Sequence, residues 1–113
     1  MDIDEVIVCA GSGGTQAGLV TGFHMIGSPI KVLGISNNAK KDKQLLKVNR
    51  ICNEILNLLD KDTSIPRDKL QFNCDYIGTG YGNADPPTIE AIKMVAQLEG
   101  IFLDPVYTGV TMA

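Results

Sequence analysis

Val6-Ile7-Val8-Cys9-Ala10-Gly11-Ser12-Gly13-Gly14-Thr15-Gln16-Ala17-Gly18 decides the fold. An apolar run breaks into a glycine-rich, hydroxyl-bearing turn, and a helix-prone segment follows. Such a turn builds an anion site. Glycines let the backbone bend so that several N–H groups converge, and the helix adds its positive end. Ser12 and Thr15 add hydroxyl donors. A Walker A loop would need Lys followed by Ser or Thr at the helix start, and Gly14 leads instead into Thr15-Gln16-Ala17. A dinucleotide fingerprint fits Gly11 and Gly13, but Gln16 takes the third glycine position. The second strand also ends in Ile35-Ser36-Asn37-Asn38 without the acidic residue that would hold a ribose. The residues thus favour a monophosphate cup, suited to a cofactor such as pyridoxal phosphate. A dinucleotide site and a tight turn that binds nothing remain as disfavoured alternatives.

Working outward, strand and helix signals alternate. Residues 5–10 read as a buried strand and 14–26 as a helix. Gly27-Ser28-Pro29 makes a turn, and 30–35 is a second strand. Leu45, Val48, Ile51, Cys52, Ile55, Leu56 and Leu59 fall at three- and four-residue spacing and mark an amphipathic helix over about 40–59. A polar linker over 60–68 precedes a third strand over 70–76, which Asn73 and Asp75 weaken. Gly78-Thr79-Gly80-Tyr81-Gly82 is a second glycine-rich loop. Asp85-Pro86-Pro87 opens a helix with a capping carboxylate, with Ile89, Ile92, Val95 and Ala96 as its inner face and Gly100 as its stop. A short strand over 101–103 ends at Asp104-Pro105. This order implies an α/β chain, a parallel sheet covered by helices on both sides. The loops 10–16, 78–83 and 104–109 should emerge together at the carboxyl edge, where such sheets bind ligands.

Composition narrows the function classes. A chain of 113 residues is one domain at most, and its net charge of −3 gives no reason to expect nucleic acid or an anionic membrane. Polar residues interrupt every apolar stretch before membrane-span length. The acidic start Met1-Asp2-Ile3-Asp4-Glu5 is not a signal peptide, so a cytoplasmic setting is expected. Cys9, Cys52 and Cys74 show no CxxC pair, and with His24 as the single histidine no metal site is expected. Cys9 and Cys52 read as core thiols.

Taken together, residues 10–18, Gly80-Tyr81-Gly82, Glu90-Ala91-Ile92 and Glu99-Gly100-Ile101-Phe102-Leu103-Asp104-Pro105-Val106-Tyr107-Thr108-Gly109 resemble the D-cysteine desulfhydrase and 1-aminocyclopropane-1-carboxylate (ACC) deaminase family. These are pyridoxal phosphate enzymes of the tryptophan synthase β-like fold, and the likeness covers nearly the whole chain. It implies a three-layer, Rossmann-like parallel sheet that forms the central to C-terminal part of the cofactor domain, a single partial domain over 1–113. By the resemblance, Gly11, Ser12, Gly13, Gly14 and Thr15 would hold the cofactor phosphate. Tyr81 and Tyr107 match the two active-site tyrosines, and Thr108 falls where a side chain faces the pyridine nitrogen. The deaminases look to have Glu there and the desulfhydrases a hydroxyl residue, so Thr108 favours β-elimination of D-cysteine. A small amino-acid substrate and a homodimer are implied as partners.

Two departures from the pattern follow. The lysine that takes the cofactor's aldehyde lies well before the phosphate loop in the family, as does a serine-containing loop for the substrate carboxylate. Here ten residues precede Gly11 and the first lysine is Lys31. The family's Tyr-Thr-Gly-Lys run is broken by Val110. The expectation is a fragment of a desulfhydrase-like lyase, inactive alone and with exposed apolar edges; the alternatives are an ACC deaminase-like fragment and a non-catalytic phosphate-binding module.

Overall fold

The computed structural model describes residues 2–113. Three parallel strands, β1 (Glu5–Cys9), β2 (Lys31–Ile35) and β3 (Gln71–Asn73), form one sheet in the order β1-β2-β3. Cys9 lies opposite Ile35, and Ile35 opposite Asn73, so the three carboxyl ends finish level at one edge. The ladder continues one step past β1, where the Ala10 N–H donates to the Ile35 carbonyl at 2.8 Å.

Side chains alternate across a strand, so each strand serves two faces. Val8, Val32 and Phe72 point to the face covered by α1 (Gly14–Met25) and α2 (Lys41–Leu58), which pack on each other. The core there is built from Ala17 and Val20 of α1 and Val48, Cys52 and Leu56 of α2. Full burial of each large apolar side chain contributes about 1.5–3 kcal/mol before chain entropy is counted. On the opposite face, α4 (Thr108–Met112) packs on β1, and α3 (Pro86–Glu99) packs on α4. Helices thus lie on both sides of a parallel sheet, as the alternation of strands and helices implies.

Gln16, where a dinucleotide fold places its third glycine, is fully buried against the sheet and donates its amide to the Gln71 carbonyl at 2.8 Å. The space it needs comes from Gly34 on β2, where an added Cβ would stand 2.2 Å from the Gln16 Oε1. The close helix-to-strand approach of the dinucleotide fingerprint is therefore replaced by a glutamine resting on a strand glycine.

The structure corrects several sequence boundaries. β3 stops at Asn73 because the Asn73 side chain accepts the Asp75 N–H at 2.9 Å, turning the chain out of the ladder. The strand expected over 101–103 does not form. Ile101 and Phe102 are 54% and 89% exposed, and an extended segment without a neighbouring strand has no ladder to join. The loop 104–109 consequently follows α3 rather than a strand, although it still reaches the carboxyl edge. Ile89 points outward, because α3 turns Thr88 and Ala91 inward and rests Ile92 against Gly109 of α4 instead of lying on the sheet. Leu59 falls just past α2 and is half exposed.

Candidate active site

The turn between β1 and α1 has the properties of an anion cup. Gly13 adopts φ +90°, a left-handed conformation, and precedes α1 without any side chain capping the helix. Among the described residues, no hydrogen bond is donated by the main-chain N–H groups of Ser12, Gly13, Gly14, Thr15 or Gln16. Ser12, Gly14 and Thr15 are exposed. An uncapped helix start with a row of unspent donors is a site for negative charge.

What faces inward is held in place from behind. Gln44 donates its amide to the Ala10 carbonyl at 2.6 Å, and the Lys47 ammonium donates to the Gly11 carbonyl at 2.8 Å and to Gln44 Oε1 at 3.1 Å. With the carbonyls tied to α2, the N–H groups are left for the outside. Sequence reading missed both residues. The available signal was the spacing of Gln44, one turn before Val48 on the stripe that continues through Cys52 and Leu56.

Tyr81 and Tyr107 meet, although one lies in the glycine-rich loop and the other precedes α4. Their hydroxyls are hydrogen-bonded to each other and their rings stand edge to face with centroids 6.2 Å apart. The hydrogen bond with Tyr81 and the repulsion from a second phenolate raise the pKa of Tyr107, with Cys9 and Asp104 adding to the effect. Tyr107 therefore keeps its proton at neutral pH. The pair also adjoins the cup: a Cβ placed at Gly11 would stand 3.6 Å from Tyr107 Cε1.

Asp104 builds the turn that presents Tyr107. Its carboxylate accepts the N–H groups of Val106, Tyr107 and Thr108 at 2.8, 2.7 and 2.9 Å and the Thr108 hydroxyl at 2.6 Å. Desolvation pushes its carboxyl up, but the Thr108 hydroxyl and these three main-chain donors outweigh that and hold it well below the usual carboxylate range. Thr108 is thereby committed within the turn: its proton goes to Asp104, and its oxygen accepts the Asp104 N–H at 2.8 Å. Only its remaining lone pair is open to another group.

Asn37, after β2, is 4% exposed and donates its amide to the Val106 carbonyl at 2.9 Å. It was read at the sequence level only as the absence of a carboxylate. The three cysteines are free. Burial raises the Cys9 pKa, with the Thr111 side chain opposing it, and burial likewise raises the Cys52 pKa. Among the described residues no cluster of His, Cys, Asp or Glu is placed to hold a metal ion, and no helix is long and apolar enough to cross a membrane.

Comparison with known proteins gives the family. The family model described as pyridoxal-phosphate dependent enzyme matches residues 1–113. ACC deaminases of Burkholderia ambifaria and Pseudomonas syringae pv. tomato are 35% and 37% identical over 109 residues, which cover 96% of this chain and 32% of each relative. A crystal structure described as an ACC deaminase homologue superposes with a TM-score of 0.85 at 32% identity, again over 96% of this chain and 32% of that one. The chain spans about a third of the length of the curated relatives it matches. The cofactor of the family is pyridoxal phosphate, and a cup of free N–H donors beside two tyrosines fits its phosphate and ring. On this match the chain belongs to the family of pyridoxal-phosphate dependent enzymes.

Proposed function

We propose that residues 11–15 hold the phosphate of pyridoxal phosphate within an amino-acid lyase of the desulfhydrase and deaminase type, and that Tyr81 and Tyr107 face the substrate. The observation that carries this reading is the row of unspent N–H groups at the start of α1 within reach of the tyrosine pair. When bound, pyridoxal phosphate supplies an electron sink for carbanion chemistry on an amino acid. The chain's own contributions are then distinct. Main-chain donors from Ser12 to Gln16 fix the phosphate oxygens, with the Ser12 and Thr15 hydroxyls free to join them. Of the two tyrosines, one hydroxyl donates to the other, leaving the second with a proton to offer a leaving group. A cytoplasmic setting belongs to the same proposal and is supported by three free cysteines.

The substrate class follows from Thr108. A hydroxyl there carries no charge to hold the ring nitrogen protonated, which makes the cofactor a weaker electron sink and suits elimination of a thiol from D-cysteine. In this structure the Thr108 hydroxyl proton is held by Asp104, so donating it to the ring nitrogen requires that bond to be exchanged. A second reading, ACC deamination, is favoured by the names of the relatives at 35% and 37% identity. In both readings the lysine that takes the aldehyde has no counterpart before residue 31 of this sequence.

Thermal stability measured with pyridoxal phosphate, pyridoxal and NAD tests the cup. Pyridoxal phosphate should stabilise the protein, and the other two should not. Stabilisation by NAD alone would contradict the reading. A polypeptide of these 113 residues should release no sulfide from D-cysteine and no 2-oxobutanoate from ACC, and sustained turnover of either would refute the expected inactivity.

A further inference from the structure

We propose that Asn37 is a positioning residue that fixes the tyrosine pair relative to the phosphate cup. Its side chain spans the two. The amide nitrogen donates to the Val106 carbonyl, the residue before Tyr107, at 2.9 Å. The amide oxygen faces the loop, because a Cβ built at Gly11 would stand 3.2 Å from Asn37 Oδ1. Asn37 also lines, with Gly78, Gly80 and Gly82 of the Tyr81 loop and with Val106, a cavity of about 10 Å³, so it stands among the three loops that carry candidate site residues.

One half of this amide is unsatisfied. Asn37 Oδ1 is buried and accepts no hydrogen bond. Leaving a buried acceptor unmet is unfavourable, so a side chain kept only for packing would be apolar here. An asparagine is explained by the donor half, which pins the turn. Its bearing on a reaction rests on the proposed pyridoxal phosphate site, whereas the positioning is a property of the chain without cofactor.

The test separates the two. In Asn37→Leu the branched shape is kept without adding charge, but the donor to Val106 is lost. Phenolate absorbance is followed through alkaline titration without cofactor. The groups around Tyr107 are Tyr81 from its loop, Cys9 from β1 and Asp104 from its own turn, and all three remain in the variant. Wild type should show a tyrosine step above the ordinary range, and in the variant that step should fall back towards it. Affinity for pyridoxine 5′-phosphate, which has no aldehyde to react with surface lysines, should drop about tenfold, the scale of one hydrogen bond lost. A folded variant with an unmoved tyrosine step overturns the proposal. A moved step in a protein that binds no pyridoxine 5′-phosphate supports the positioning and removes the cofactor reading. Should the variant not fold, hydrogen exchange of the wild-type Asn37 side-chain amide decides: slow exchange supports the tie to Val106, and exchange at the rate of a free amide overturns it.

Discussion

At Gly13 the backbone stands at φ +90°, and an added Cβ would approach Val48 Cγ2 to 2.8 Å. Both facts require glycine, one through conformation and one through space. Gly13→Ala should lower unfolding stability by about 1–3 kcal/mol in a urea titration, the scale of one strained residue. A value within error of wild type would mean that the cup is not strained. Gly34 differs, because its φ is not in the left-handed region and its neighbour is the flexible Gln16 side chain. Gly34→Ala should cost about 1–3 kcal/mol through overpacking against Gln16. In the double variant Gln16→Ala, Gly34→Ala the two losses should be less than additive, since the obstacle is gone. Strict additivity would show that Gln16 yields to the methyl group without cost. The sequence made Gly11, Gly13 and Gln16 legible as a motif, since local spacing was enough. It could not show that Gly34 makes room for Gln16, because that contact joins residues far apart along the chain. Asn37 and Lys47 were hidden for the same reason: neither belongs to a local pattern, and each acts on a loop more than 30 residues away.

Among the elements, helix ends were more legible than strand ends. Asp85 precedes two prolines, and its carboxylate accepts the Thr88 N–H at 3.2 Å and the Thr88 hydroxyl at 2.6 Å, as a capping residue should. Asp85→Ala should cost about 1 kcal/mol, read as a lower urea midpoint. Asp104 does comparable work for the turn before α4, yet in sequence Asp104-Pro105 suggested only the end of a strand. The strand over 101–103 was misread because an apolar triplet signals burial without naming a partner, and pairing is a tertiary fact. The depressed carboxyl of Asp104 fixes a pH dependence. Folded, it binds its proton less tightly than in the unfolded chain, so the unfolded state holds more protons and stability rises with pH. The contribution is complete above the ordinary carboxylate range of about 4 and fades as pH falls below it. The stability gap between wild type and Asp104→Asn should be constant above about pH 5 and shrink towards pH 3. A gap that instead widens in acid would contradict the capping role.

Across the whole molecule, one face is a complete core and the other is thinly covered. Ile7 on β1, Met94 and Leu98 on α3, and Ile101 and Phe102 beyond it are all exposed, as is the outer edge of β1. Large apolar surface on a chain that spans a third of its relatives should drive self-association. Sedimentation velocity over a concentration series should show dimer or larger species, reduced by Phe102→Ser together with Leu98→Glu. A monomer at all concentrations would contradict this. The alternation of strands and helices made the α/β class legible, and the joint spacing of the loop, Tyr81 and Tyr107 pointed to one edge. The central claim, that the start of α1 is a phosphate cup, is tested most directly by amide NMR during titration with pyridoxine 5′-phosphate. The account predicts saturable shifts of the Ser12 to Gln16 amides, with none on addition of pyridoxine. Shifts confined to other residues, or equal shifts with pyridoxine, would contradict it.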